Sequence, residues 1–222
     1  MGERGASLLG ADEWYREKFF DVFLPRILSA GRLGDLSILV PPTFQEIEEF
    51  RDLPPRCHVI PCRDGTIGEG LAMDPLGTGE AVLLLHPFHL LVSPVEIDRL
   101  VGFHESSKGG YSANHRPARG NNYPTGIGAE IVSGGPLHRL LGSPIPPRRD
   151  EACPGIPETD PADGPRAPQE CSGPEITLSC GSPEGYANLR TLIATLEKAR
   201  AGPLWDVPHI LKTYRTLNHL RT

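Results

Sequence analysis

The sequence predicts an α/β fold with a mostly parallel sheet. Three observations carry that prediction. Short apolar runs of strand length recur along the chain, amphipathic helical patterns separate them, and capping signals mark where several helices begin. Taken in order, residues 12–30 hold Trp14, Tyr15, Phe19, Phe20, Val22, Phe23, Ile27 and Leu28, which suit one long helix with a wide apolar face. Residues 35–40, DLSILV, read as a buried strand stopped by Pro41 and Pro42. Thr43-Phe-Gln-Glu46 has capping-box spacing and predicts a helix to about Arg51. Residues 57–61, CHVIP, are a short strand, and residues 65–79 a Gly-rich loop.

Residues 80–85, EAVLLL, are the strongest strand in the chain. Ser93-Pro-Val-Glu96 is a second capping box with Pro94 at the first helical position, and Ile97, Leu100, Val101 and His104 mark one face of the helix it opens. A strand is expected within 127–133, a short helix over 136–141 and a strand over 176–179. Ser182-Pro183 opens a helix with Tyr186, Leu189, Ile193 and Leu196 on one face, and a last helix holds Trp205, Val207, Ile210 and Leu211.

Composition sets the limits. With 222 residues the chain is long enough for one domain with a real core. Lys plus Arg is 22 against 28 for Asp plus Glu, a net charge of -6, so a generic basic nucleic-acid binder is not expected. No apolar run approaches the roughly 18 residues that span a bilayer, and residues 1–11 lack the apolar stretch of a secretory signal, so a cytoplasmic protein with no membrane partner is expected. Cys57, Cys62, Cys153, Cys171 and Cys180 are odd in number and show no C-x-x-C spacing, and are read as reduced thiols. Residues 143–175 hold nine of the 24 prolines and almost no large apolar side chain, which reads as an exposed, mostly disordered insertion. The chain therefore divides into the N-terminal part of a core (1–142), the Pro-rich insertion (143–175) and a C-terminal strand and helices completing the same core (176–222).

Chemistry is sparser. Residues 64–70, DGTIGEG, lack the Lys-Ser/Thr of a phosphate loop and read as a turn. His86 and His89 follow the strongest strand, where ligands sit in parallel α/β folds, but no neighbouring carboxylate or cysteine completes a metal site in the sequence. Residues 111–130, YSANHRPARGNNYPTGIGAE, are dense in hydrogen-bonding side chains, as binding loops are. No G-x-S-x-G elbow and no acidic metal clamp is evident.

Ser93-Pro-Val-Glu-Ile-Asp98, Tyr111-Ser-Ala-Asn114, Tyr123-Pro-Thr-Gly-Ile-Gly-Ala-Glu-Ile131, the stretch 178–189 and Trp205-Asp-Val207 occur in a telling order. Together they resemble the cytidylyltransferase-like family associated with spore-coat polysaccharide and acylneuraminate activation. The resemblance implies a doubly wound, mostly parallel sheet of nucleotide-diphospho-sugar transferase type, here lacking the family's first strand and its triphosphate loop. It also implies activation of sugars as nucleotide-sugars with a divalent metal. The departures fall on the metal-binding acids. Phe88 stands where the family has Asp in Gly-Asp-Cys-Pro-Leu, Thr125 and Gly128 replace two acids after the Tyr-Pro pair, and Gly181 replaces the Asp before Thr-Pro-Glu-Asp. Nucleotidyl transfer needs a cation held by hard carboxylate oxygens, and neither Phe nor Gly can ligate magnesium. The leading expectation is a non-catalytic member that needs no cofactor and binds a sugar or nucleotide, or serves a partner as a homo- or hetero-dimer. Asn114, Arg119, Tyr123 and Glu130 are the expected ligand contacts. Two alternatives stand beside it. One is an active enzyme drawing substitute ligands from His86, His89, Glu130 or a partner chain; the other is an unrelated α/β small-molecule-binding module.

Overall fold

The computed structural model describes residues 9–44, 46–62, 81–107, 110–114, 122–133, 164–199 and 202–219. It is a mixed α/β fold with a parallel strand pair and helices packed on the sheet face. The Gly-rich loop at 65–79, the helix expected over 136–141, Arg119 and Cys153 lie outside the described residues.

The first helix is interrupted where one continuous helix was expected. Helix α1 (Glu13–Lys18) runs into a π-helical stretch, Phe19–Phe23, and then α2 (Leu24–Leu28). Pro25 explains the break. It has no N–H to donate and its ring clashes with the carbonyl four residues back, so the preceding turn widens. The apolar face survives, since Tyr15, Phe19, Val22, Phe23 and Ile27 are all buried.

Strand β1 (Leu36–Val40) pairs in parallel with β2 (Cys57–Pro61), with Leu36 opposite Cys57 and Val40 opposite Pro61. The helix expected from Thr43 is absent. Two 3-10 turns, Pro42–Phe44 and Glu48–Asp52, stand in its place. Successive bonds from Phe44 N to Pro41 O, Ile47 N to Phe44 O and Phe50 N to Ile47 O advance three residues at a time. A segment caught between two Pro-Pro pairs has too few residues to offset helix nucleation.

Strand β3 (Ala81–Leu84) pairs antiparallel with β5 (Glu130–Ser133), which pairs antiparallel with β4 (Tyr111–Ala113). The described strands thus form two separate sheets, β1-β2 and β3-β5-β4. Residues 176–179 make no full strand. They are tied to the loop before β5 by a parallel bridge between Thr125 and Thr177. Gly126 allows this close approach: its φ is +100°, and a Cβ there would lie 2.1 Å from the Leu178 carbonyl oxygen.

Helix α3 (Pro94–Ser106) begins at Ser93, whose hydroxyl accepts from Glu96 N at 3.3 Å. Only this half of the expected capping box forms. Ser93 N donates to Ile127 O instead, and the Glu96 carboxylate turns inward. Ile97 and Leu100 are fully buried, each such side chain stabilising the fold by about 2 kcal/mol. At the far end His104 bridges the Ser112 and Ser133 hydroxyls at 2.9 Å each, fastening α3 to β4 and β5.

Residues 143–163 of the Pro-rich stretch lie outside the described residues, and the remainder, 164–175, is held against the core. Ala167 and Cys171 are buried, a 3-10 turn spans Gln169–Cys171, and Asn122 holds the segment through Ala167 N, Ala167 O and Ser172 Oγ. A few small apolar side chains and one asparagine hold down a segment that cannot make a core alone. Helix α4 (Pro183–Ala199) buries Leu189, Leu192, Ile193 and Leu196, and α5 (Val207–His219) buries Val207, Ile210 and Leu211. Fully buried Arg26 ties these parts together, donating to the carbonyls of Leu91, Val92, Pro203 and Trp205. Burial lowers its guanidinium to about 10.

Candidate functional site

The carboxyl end of β3 leads into the turn that carries His86, Phe88 and His89. Bonds from His89 N to His86 O (3.0 Å) and Val92 N to His89 O (3.1 Å) wind it tightly. His86 Nδ1 accepts from Phe88 N at 3.2 Å, so the neutral imidazole carries its proton on Nε2. Its ring lies 4.8 Å from the Phe88 ring and 5.2 Å from the His89 ring, with small tilts between the planes. Tyr15 Oη donates to Pro87 O at 2.7 Å, pinning the turn to α1.

The segment before α4 closes the other side. Cys180 N donates to Phe88 O at 3.1 Å and its thiol to the same oxygen at 3.3 Å. Gly181 follows, held by its N–H to Ser179 Oγ at 3.3 Å. A Cβ on Gly181 would stand 3.9 Å from Phe88 Cδ2. Phe88 and Gly181, distant in sequence, therefore face each other at the end of the sheet. Burial pushes the Cys180 thiol up to about 12, with the Asp12 carboxylate adding to the rise, and leaves it inert at neutral pH.

This geometry tests whether the residues suit the divalent metal that the family resemblance implies. Two of the positions where that resemblance expects carboxylates do meet in space, yet they hold a phenyl ring and a hydrogen atom. Among the described residues no three His, Cys, Asp or Glu side chains are grouped so as to hold a metal ion. His86, His89 and Glu130 form no such group. The donor set does not fit a magnesium site.

The expected ligand contacts lie elsewhere. Asn114, Tyr123 and Glu130 are each 0% exposed. Two of them meet at the first turn of α3. Asn114 Nδ2 donates to Glu96 O at 3.0 Å while its Oδ1 accepts from Ala129 N at 2.8 Å. Tyr123 Oη donates to the Glu96 carboxylate, and Arg99 approaches the same carboxylate at 3.5 Å from the solvent side. Burial and the Glu96 charge together raise the Tyr123 hydroxyl well above its ordinary pKa, so it stays a donor. Glu130 sits across from Leu84 and Ala113 at the start of β5. These residues knit β4, β5 and α3 together behind the strand ends.

Trp14 and Tyr186, which the sequence reading treated only as helix faces, meet where the first turns of α1 and α4 come together. Asp12 caps α1, accepting from Tyr15 N at 2.9 Å, and also accepts from Tyr186 Oη at 2.8 Å. Burial and this bond push the Tyr186 hydroxyl up to about 12. Trp14 meets Tyr186 edge-on at 5.2 Å, and the Arg190 guanidinium lies 5.8 Å above the Trp14 ring. An Asp just before a helical pattern was the available signal for Asp12. Nothing local in sequence joins positions 12–14 to 186–190.

No protein-family model and no curated protein matches the sequence. Among solved structures, the chain is similar to a cytidylyltransferase from Leptospira borgpetersenii serovar Hardjo-bovis (strain JB197). That likeness has a TM-score of 0.68 and 14% identity, covering 91% of this chain and 84% of that one. It speaks to the fold alone, and the fold of this chain is cytidylyltransferase-like.

Proposed function

We propose that this chain is a nucleotidyltransferase-like protein that binds a nucleotide or sugar and does not carry out the metal-dependent transfer. Its place would be in surface-polysaccharide or nucleotide-sugar biosynthesis, in the cytoplasm, alone or as a subunit of a dimer. One observation carries the reading: at the carboxyl end of β3, Phe88 lies against Gly181 where a metal-dependent site of this fold needs carboxylate oxygens. Phe88 is buried in the core, and a phenyl ring in that position excludes water and a hydrated cation together. Among the described residues no helix is long and apolar enough to cross a membrane.

Calorimetry tests this. CTP, CMP and CMP-sugars are titrated with and without magnesium, alongside an assay for nucleotide-sugar formed from CTP. The expected result is nucleotide or sugar binding with an affinity indifferent to magnesium, and no product. Magnesium-dependent CTP binding accompanied by product formation would overturn it. A second reading, an active enzyme with altered ligands, draws support from the two imidazoles held 5.2 Å apart at the strand end. It requires that the His86→Ala/His89→Ala double variant lose whatever turnover the protein shows.

A further inference from the structure

We infer that the cleft beside the last turns of α5 binds a free α-amino acid, taking its ammonium on Glu175 and its carboxylate on Arg215. The site stands apart from the nucleotide- or sugar-binding reading, since none of its side chains takes part in the contacts around Phe88.

The cleft has a volume of about 270 Å³ and is lined by Glu175, Ile176, Tyr214, Arg215, Asn218 and His219. Four of the six come from α5, at spacings that put them on one side of the helix. The opposite wall is a turn fixed by its backbone. Gly173 N donates to Asn122 O at 3.0 Å, Ile176 N to Gly173 O at 2.9 Å and Thr125 N to Ile176 O at 3.0 Å. Ile176 is 3% exposed and anchors this turn in the core, while Tyr214 is half-buried and packs against the core from the helix. Arg215 is fixed as well. One guanidinium nitrogen donates to Ser172 O at 2.9 Å, which leaves the other N–H groups of the fork for a ligand.

Two opposite charges thus border one cleft without meeting. Among the described residues neither Glu175 nor Arg215 forms an ion pair, and the Glu175 carboxylate accepts no hydrogen bond. A simple anion would satisfy Arg215 and be repelled by Glu175, and a simple cation the reverse. A molecule that carries both charges a few atoms apart satisfies both. The size agrees. A cleft of this volume is about 8 Å across, which is about the span of two charge-assisted hydrogen bonds of about 2.8 Å with an amino-acid head between them. The cleft also lies at the carboxyl end of α5, where the last carbonyls lack partners within the helix and favour a cation such as the ligand's ammonium. Tyr214 offers the ligand's side chain an aromatic wall, which suits an apolar amino acid.

Nuclear magnetic resonance provides the test. The full-length protein, labelled with nitrogen-15, is titrated with L-leucine, N-acetyl-leucine and leucinamide, the last two each lacking one of the two charges. Saturable shifts centred on the amides of residues 172–177 and 214–219 are expected with leucine, and both capped forms should bind at least tenfold more weakly. Glu175→Gln should weaken leucine binding at least tenfold and leave N-acetyl-leucine unchanged. Arg215→Gln should weaken leucine binding at least tenfold and leave leucinamide unchanged, whereas Arg215→Lys should recover part of the affinity. A merely structural role for either residue would alter capped and uncapped forms alike. Both side chains are exposed, and an unchanged spectrum away from the cleft shows that each variant is folded. No saturable shift with leucine overturns the inference, as do shifts centred elsewhere, equal binding of a capped form, or an unchanged leucine affinity in Glu175→Gln or Arg215→Gln.

Discussion

Replacing Asn114 by Ala separates a structural role from a ligand contact. The side-chain amide joins two buried backbone groups, the Glu96 carbonyl at 3.0 Å and the Ala129 N–H at 2.8 Å. The residue is fully buried, so water cannot replace either bond. A buried polar group stripped of its partner costs about 1–3 kcal/mol. Two such groups, with the small void left behind, give about 3–5 kcal/mol. That is a large share of a domain stability of about 5–15 kcal/mol. With an m-value of about 2 kcal/mol/M, the urea midpoint should fall by about 2 M. Unfolding would be followed by circular dichroism in the far ultraviolet, with CMP affinity measured on the folded fraction. Asn114→Asp should also destabilise, because it keeps an acceptor for Ala129 N–H but turns a carboxylate oxygen toward the Glu96 carbonyl. An Asn114→Ala variant that keeps its stability within about 1 kcal/mol of the parent yet loses CMP affinity would refute the reasoning and restore Asn114 as a ligand contact.

Three further outcomes follow from the same geometry. Burial lowers the pKa of His104 below its ordinary 6.5, because the imidazolium is disfavoured between α3 and the sheet. The unfolded chain therefore takes up a proton that the folded one refuses. Stability should be full above about pH 6.5 and decline as pH falls toward the folded pKa, and His104→Gln should flatten that decline in a series of urea titrations. Gly126→Ala places a methyl group 2.1 Å from the Leu178 carbonyl at a φ of +100°, and should cost at least about 2 kcal/mol by thermal or urea unfolding. Arg26→Met removes the donor to four interior carbonyls and should cost about 3–5 kcal/mol, with the C-terminal helix α5 losing amide-exchange protection first.

Several elements were legible in the sequence because their signals are local. Ser93 with Pro94 set the start of α3, and the i, i+3, i+7 run of Ile97, Leu100 and His104 set its buried face. The strands at 36–40, 57–61 and 81–84 lie within the runs that predicted them. The failures were also local in cause. The capping-box spacing at Thr43 was outweighed by flanking prolines, and the helix over 12–30 was altered by Pro25. Asn114, Tyr123 and Glu130 were read as ligand contacts because they lie in a stretch dense in polar side chains, and their full burial was not legible there. Interior hydrogen bonds to Glu96 and Ala129, invisible in one dimension, turn Asn114 and Tyr123 inward.

Composition, periodicity and capping residues were enough to settle the class of fold, because helix and strand patterns repeat over a few residues and each cap acts within one turn. That positions 88 and 181 carry no carboxylate could also be read from the chain alone, since a side chain's ability to bind a cation is a property of the residue. That Phe88 and Gly181 face each other, and that Asp12 and Trp14 meet Tyr186 and Arg190, required the folded chain. These contacts join residues about 90 to 180 positions apart, and such pairs are selected by the packing of the whole core rather than by any local preference.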